Sequence, residues 1–257
     1  MMIKRYVFLL LPGIMLMAAA AKAQESFYRV YQFETPLQGH LGFNVWDTYV
    51  GNSNLSYGHF GKDVSRQGML AQAFEAEFAV TDHFSLSAYT NFEAPDGSVM
   101  HYSEARVEGL YRFGERFDHF VNFALYGEYY IPDQHYSTSN EAELRLIMDK
   151  DIEDFRLVLN PTLSKYVNGD ESKQLQPGIS AGAYYRRLFF LQPGVEYYSN
   201  FYDHSAMLFP TVDLRFGPYI TWNLGAGFGL NSNSDKFTIK SILQFDIPVI
   251  RPSRLLR

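Results

Sequence analysis

The feature that most constrains this chain is a two-residue alternation that puts ionised groups on one side of strand after strand. Phe74-Glu75-Ala76-Glu77-Phe78 alternates, Thr81-Asp82-His83 turns, and Phe84-Ser85-Leu86-Ser87-Ala88 alternates again. The pattern recurs to about Phe245. A period of two places alternate residues on opposite faces of a strand. Here one face is apolar, and the other carries charges such as Glu104, Arg106 and Glu108, or Glu141, Glu143 and Arg145. A soluble sandwich buries the apolar face; a membrane barrel turns it to lipid and keeps the polar face in its lumen. Periodicity alone does not choose between them, but the N-terminus and the connections do.

Lys4 and Arg5 precede an apolar run from Tyr6 to Ala20, and Ala21-Lys22-Ala23 is a small-x-small site. This reads as a secretion leader over 1–23, with the barrel over 24–247 and a tail over 248–257. No cysteine occurs, so neither a disulfide framework nor a lipid-anchored thiol is available. No later segment has the roughly 20 apolar residues of a spanning helix. A secreted chain of this kind crosses a bilayer only as a closed barrel. Mean hydropathy is −0.19, as expected where half of every strand is polar. Taking Lys4, Arg5 and Lys22 from the 22 basic residues leaves 19 against 28 acidic ones. That excess disfavours nucleic acid as a partner.

Strands are expected over 39–50, 68–80, 84–93, 100–113, 119–131, 138–149, 154–166, 176–187, 189–200, 206–216, 219–229 and 236–247. The connections 81–83, 114–118, 150–153, 187–188 and 217–218 are short, and alternate with longer ones at 51–67, 94–99, 132–137, 168–175, 201–205 and 231–235. Outer-membrane barrels have short periplasmic turns and longer outer loops, and even strand numbers. The fold expected is therefore all-β: a transmembrane, antiparallel, up-and-down barrel of about 12 strands in a bacterial outer membrane. The segment 24–36 is left open, as an added strand or a periplasmic plug. Tyr129-Tyr130, Tyr184-Tyr185, Phe189-Phe190, Tyr197-Tyr198, Trp46 and Trp222 are assigned to aromatic girdles. Leu157, Leu159, Val195 and Leu214 are among the residues assigned to lipid. Pro193 and Pro210 are placed on that face and taken to mark bulges.

The chemistry is thinner. His83, His119 and His204 follow aspartates but lie in turns, with no serine positioned beside them, so no catalytic set emerges. Metal- and nucleotide-binding motifs are absent, and no cofactor is expected. Asn168-Gly169-Asp170-Glu171 lacks the spacing of a calcium loop.

Glu75-Ala76-Glu77-Phe78 with Val80-Thr81-Asp82-His83-Phe84-Ser85-Leu86, and later Gly194-Val195-Glu196-Tyr197-Tyr198 and Phe209-Pro210-Thr211, resemble segments of the MetA-pathway, phenol-degradation family of outer-membrane proteins. The resemblance covers roughly 68–247 and implies a channel for small, often hydrophobic, compounds, with no catalytic residues to carry over. One departure is the C-terminus: Phe245 is followed by 12 further residues, whereas barrel proteins usually end on the aromatic read by the barrel-assembly machinery.

The leading expectation is a channel or transporter whose partners are outer-membrane lipid and a small solute. An outer-membrane lipid or peptide hydrolase, and a structural barrel with a filled lumen, stay as alternatives. The residues expected to line the solute path are Glu75, Glu77, Glu104, Arg106, Glu108, Glu128, Glu143, Arg145, Arg156, Arg186, Glu196, Asp213 and Arg215. With Glu141 and Lys240 they divide into an acidic wall on strands two to six and a basic wall on strands seven to twelve. The acidic excess implies weak cation selectivity.

Overall fold

The computed structural model describes residues 26–169 and 173–249. The expected leader 1–23, the tail beyond 249 and the middle of the 168–175 loop lie outside the described residues. The strands are β1 (His40–Asn52), β2 (Ser56–His59), β3 (Lys62–Ser65), β4 (Leu70–Thr81), β5 (Phe84–Ala94), β6 (His101–Phe113), β7 (Asn122–Pro132), β8 (Glu141–Ile152), β9 (Phe155–Tyr166), β10 (Gln176–Tyr185), β11 (Leu191–Asn200), β12 (Ser205–Arg215), β13 (Ile220–Gly229) and β14 (Phe237–Pro248). All but β2 and β3 form one closed antiparallel barrel of 12 strands, sealed where β1 pairs with both β14 and β4.

Each expected strand is present, and the alternation decides which way it faces. Leu157 is 42% exposed and Val195 40%, while their neighbours Val158 and Glu196 are buried at 4% and 3%. The ends differ from expectation at several turns; β7, for one, begins at Asn122, so the 114–118 turn runs on to 121. β8 runs on through Ile152, so the turn is confined to Glu153, at φ 52°, and Asp154. β10 stops at Tyr185, which leaves 186–190 as the connection. The 51–67 segment was expected only as a long connection. It folds as the β2–β3 hairpin, turned by Phe60 at φ 49° and Gly61 at φ 75°.

The girdle assignment needs correction, for a reason inherent in the alternation. Of two adjacent strand residues only one can face lipid. Trp46, Tyr184 and Tyr198 point inward and are buried. Tyr130 also turns inward, donating to Glu128 at 2.8 Å. The exposed ring at the short-turn end keeps the expected Phe189 and Phe190 and adds Phe113, Phe117, Phe120, Phe155 and Phe216. The bulges also fall elsewhere, at Val50/Asn52, Ala79/Thr81 and Asn91/Phe92. Pro193 and Pro210 keep register with their neighbours, Val212 and Val195.

Residues 26–37, left open by the sequence, run through the lumen. At the long-loop end the Ser26 hydroxyl donates to Glu93 at 2.9 Å, and at the short-turn end the Thr35 hydroxyl donates to the Asp82 carbonyl at 3.1 Å. Gly39, at φ 81°, then helps reverse the chain into β1. The segment enters every buried apolar cluster among the described residues: Phe27 joins Trp46 and Tyr89, Tyr28 and Val30 join Tyr198 and Phe209, and Tyr31 and Phe33 join Tyr126 and Ile147.

Candidate functional site: the filled lumen

The segment is extended, so it too alternates. Phe27, Arg29, Tyr31 and Phe33 address the wall formed by β1 and β4–β8. Tyr28, Val30, Gln32 and Glu34 address β9–β14. Arg29 lies 3.8 Å from Glu75, with its guanidinium over the Tyr31 and Trp46 rings. Glu75 also accepts from Asn44 at 2.8 Å and Trp46 at 3.0 Å. On the other side Tyr28 packs at 4.8 Å centroid distance on Phe209 and edge-on at 5.2 Å to Tyr198.

No strand ladder holds the segment; side chains of the barrel wall hold its backbone. Asn160 accepts from the Tyr31 N–H at 2.8 Å and donates to the Tyr31 carbonyl at 3.0 Å, closing a two-bond clamp. Asp149 accepts from the Phe33 N–H at 3.0 Å, and Arg116 donates to the Phe33 carbonyl at 2.9 Å. Lys240 donates to the Tyr28 carbonyl at 3.2 Å. A buried backbone group left unpaired costs about 1–3 kcal/mol, so such a clamp is what lets an unladdered peptide run through the interior.

Each residue expected to line the path occupies the interior, but most of them are paired. Glu104 lies 3.0 Å and Glu128 3.2 Å from Arg106, and Glu143 lies 2.7 Å from Arg145. Glu108 takes hydroxyl donors, from Tyr89 at 2.6 Å and Ser87 at 3.3 Å. Tyr126 sits among Glu108, Glu128 and the Tyr31 hydroxyl. Glu196 pairs with Lys240 and accepts from Tyr184 at 2.9 Å. Asp213 accepts from Asn223 at 2.6 Å. Arg156 lies 2.5 Å from Glu34, and Arg186 lies 3.0 Å from Asp151. Glu77 and Arg215 line a cavity of about 120 Å³.

The two-wall reading of charge missed an axial sorting. Glu93, Glu104, Glu141, Glu143 and Asp203 line a cavity of about 240 Å³ at the long-loop end, with Arg106 as its base. Arg116, Arg156, Arg186 and Arg215 gather at the short-turn end. Arg29 borders the 120 Å³ cavity and also a third, of about 80 Å³, on the side of Glu143 and Arg145. The N-terminal segment thus separates an acidic vestibule from a cavity of mixed charge, where Glu34, Glu77, Glu108, Glu196 and Asp213 stand beside Arg29, Arg215 and Lys240.

Asp149, Asp151 and Asn160 were not expected as site residues. Asp149 and Asp151 continue the inward parity of Glu143 and Arg145; Asp149 already lay in the expected strand, and running the alternation to the true end of β8 adds Asp151. Above the barrel, β2–β3 is tied down by a buried ion pair, Arg66 to Asp235 at 3.0 Å. Burial holds the His59 imidazole of that hairpin below its ordinary pKa.

Twelve strands closed round a charged interior, with an apolar belt outside, define a transmembrane β-barrel of the outer-membrane type. No family model matches the chain, and no curated protein sequence does. Solved structures match its fold. The COG4313 outer membrane channel from Pseudomonas putida F1 aligns over 83% of this chain and 97% of its own, at 11% identity and a TM-score of 0.60. The KdgM porin, solved in complex with disordered oligogalacturonate, aligns over 80% and 98%, at 8% identity and a TM-score of 0.55.

Proposed function

We propose that the protein is an outer-membrane channel for small solutes, and that residues 26–37 are a removable stopper in its path. The carrying observation is how the stopper is held. Its backbone bonds go to side chains of the wall, and water-sized cavities flank it at both ends. A lumen built to stay filled has no need of an acidic vestibule at its long-loop end. Twelve strands enclose a lumen between the filled interior of 8 and the aqueous channel of 16. The likeness in fold to a channel and a porin, and the resemblance of the early hairpin to the MetA-pathway, phenol-degradation group, agree with this reading. Loop lengths orient it, with the acidic vestibule outward and the short turns in the periplasm.

Low-dielectric walls focus the field of the acidic vestibule, so small cations and neutral solutes pass more readily than anions. Glu104, Glu141 and Glu143 are the carboxylates best placed to act. Glu108 and Glu128, tied to tyrosine hydroxyls, contribute less.

The filled interior itself favours a second reading, a structural barrel. Liposome swelling separates the two. Vesicles holding the variant without residues 26–37 are expected to swell in small neutral sugars and in amino-acid solutions, with rates falling as solute size rises. Correctly folded variant that leaves vesicles impermeable to all of them supports the structural barrel instead.

A further inference from the structure

The short-turn mouth holds more positive charge than its own wall balances. Arg116 reaches in from the turn after β6, Arg156 stands near the start of β9, Arg186 follows β10 and Arg215 ends β12. Two wall carboxylates pair directly with this group. Asp149 lies 3.2 Å from Arg116 and 3.7 Å from Arg156. Asp151 lies 2.8 Å from Arg116, 3.4 Å from Arg156 and 3.0 Å from Arg186. Asp213, two residues before Arg215 on β12, accepts from Asn223 and acts on Arg215 through space, so three wall carboxylates face four guanidinium groups. The Nε atoms of Arg186 and Arg215 are buried without a hydrogen-bond partner among the described residues.

The missing negative charge comes from the N-terminal segment. Glu34 sits 2.5 Å from Arg156 and 3.7 Å from Arg116, and Arg186 and Arg215 act on it through space. Its partner Arg156 is 1% exposed, whereas Glu34 itself is 52% exposed, open to the vestibule. Removing Glu34 leaves the nearly buried Arg156 with only Asp149 and Asp151, which it shares with Arg116 and Arg186. Such a site draws in another anion, because an uncompensated buried charge is costly. Guanidinium forks suit carboxylate and phosphate geometry.

We infer that Arg116, Arg156, Arg186 and Arg215 form an oxyanion site which Glu34 occupies as a tethered ligand, and that a small phosphate or carboxylate from the short-turn side competes for it and frees the N-terminal segment. The binding half stands on the geometry alone; the release half rests on the channel reading. The guanidinium groups point into the lumen, so a dissolved oxyanion, and not a lipid headgroup, is the ligand. A short tether gives an effective concentration on the order of millimolar, so free anion competes in about that range or above.

Calorimetric titration of the folded, detergent-solubilised protein with inorganic phosphate tests the site. Glu34→Ala is expected to bind phosphate at least tenfold more tightly than the unmodified chain, with Glu34→Gln as the substitute where the alanine variant does not fold. Adding Arg215→Gln to either should weaken that binding at least fivefold. Equal affinity with and without Glu34, or indifference to Arg215, overturns the site. In planar bilayers, phosphate on the short-turn side should raise the open probability of the unmodified chain and leave Glu34→Ala unchanged. Phosphate binding with no current from any variant, the one without 26–37 included, sinks the channel reading and the release half and leaves the site. Current from the variant without 26–37, with no phosphate binding to Glu34→Ala, sinks the site and leaves the channel.

Discussion

The β4–β8 wall and the β9–β13 wall solve the same problem differently. The first fills its inner face with carboxylates, tyrosines and arginines, and its two strand glycines, Gly109 and Gly127, sit at outward positions. The second carries glycines on its inner face, among them Gly182, Gly194 and Gly227, and one proline on the outer face of each of four successive strands, Pro161, Pro177, Pro193 and Pro210. The glycines leave the wall flat enough for rings to lie on it. A Cβ on Gly194 would stand 2.5 Å from the Tyr184 ring, and one on Gly227 would collide with Phe209. Tyr28 of the stopper then packs on Phe209 and Tyr198. The prolines are staggered: Pro161 faces Ile179, Pro177 faces Leu163, and Pro193 faces Val212. No two missing ladder donors fall opposite each other. The first wall thus fills its side of the lumen with its own polar side chains, the second leaves room for rings beside Arg156, Glu196 and Asp213, and the N-terminal segment fits between them, with Arg29 toward Glu75 and Tyr28 on Phe209.

Four substitutions sharpen or break that contrast, read by denaturant titration of refolded protein. The largest effect is expected at Glu196. Its loss in Glu196→Ala leaves Lys240 buried without its carboxylate, at a cost of about 3–5 kcal/mol. Glu196→Gln with Lys240→Met should recover most of it, whereas Glu108→Gln on the other wall, where the Ser87, Tyr89 and Tyr126 hydroxyls surround the carboxylate, should cost about 1 kcal/mol. Equal losses at Glu196 and Glu108 would erase the distinction. Next, Leu157→Arg should cost about 2–4 kcal/mol if it faces lipid. Arg at the adjacent, inward Val158 should cost less, and the reverse order would invert the faces. Gly227→Val should cost about 1–3 kcal/mol through overpacking against Phe209. No loss there means that the ring is not held on the wall. The smallest effect is at Pro210, where the β12–β13 ladder skips two pairs. Pro210→Ala returns one donor but frees the unfolded chain, so a net change under about 1 kcal/mol is expected. A loss well above that would show that the ring packs in a way the outer face does not suggest.

Strand number, connection order and facing were legible because one physical rule, alternation across a lipid boundary, repeats twelve times. The bulges were not, since Val50, Ala79 and Asn91 carry no local signal that pairing slips beside them. Single residues of each charge pair were also legible, for example Arg106, Glu128 and Glu196. Their pairing was not: Lys240 and Glu196 are 44 positions apart and meet across the inner face of β12 and β13 as the sheet curls. The stopper was half legible. Phe27-Tyr28-Arg29-Val30-Tyr31 has the composition of a strand, but nothing local states that it will lack a ladder. That depends on Asn160 and Asp149, far along the chain, offering side chains where a neighbouring strand would have offered backbone.

Whether the chain's own N-terminal segment closes an otherwise conducting lumen can be read from single-channel current in planar bilayers. The comparison is between the chain with residues 26–37 and the same chain without them, both verified as folded barrels. The account predicts rare or small openings in the first and steady, several-fold larger conductance with cation preference in the second. Equal conductance in the two, or none in either, would contradict it.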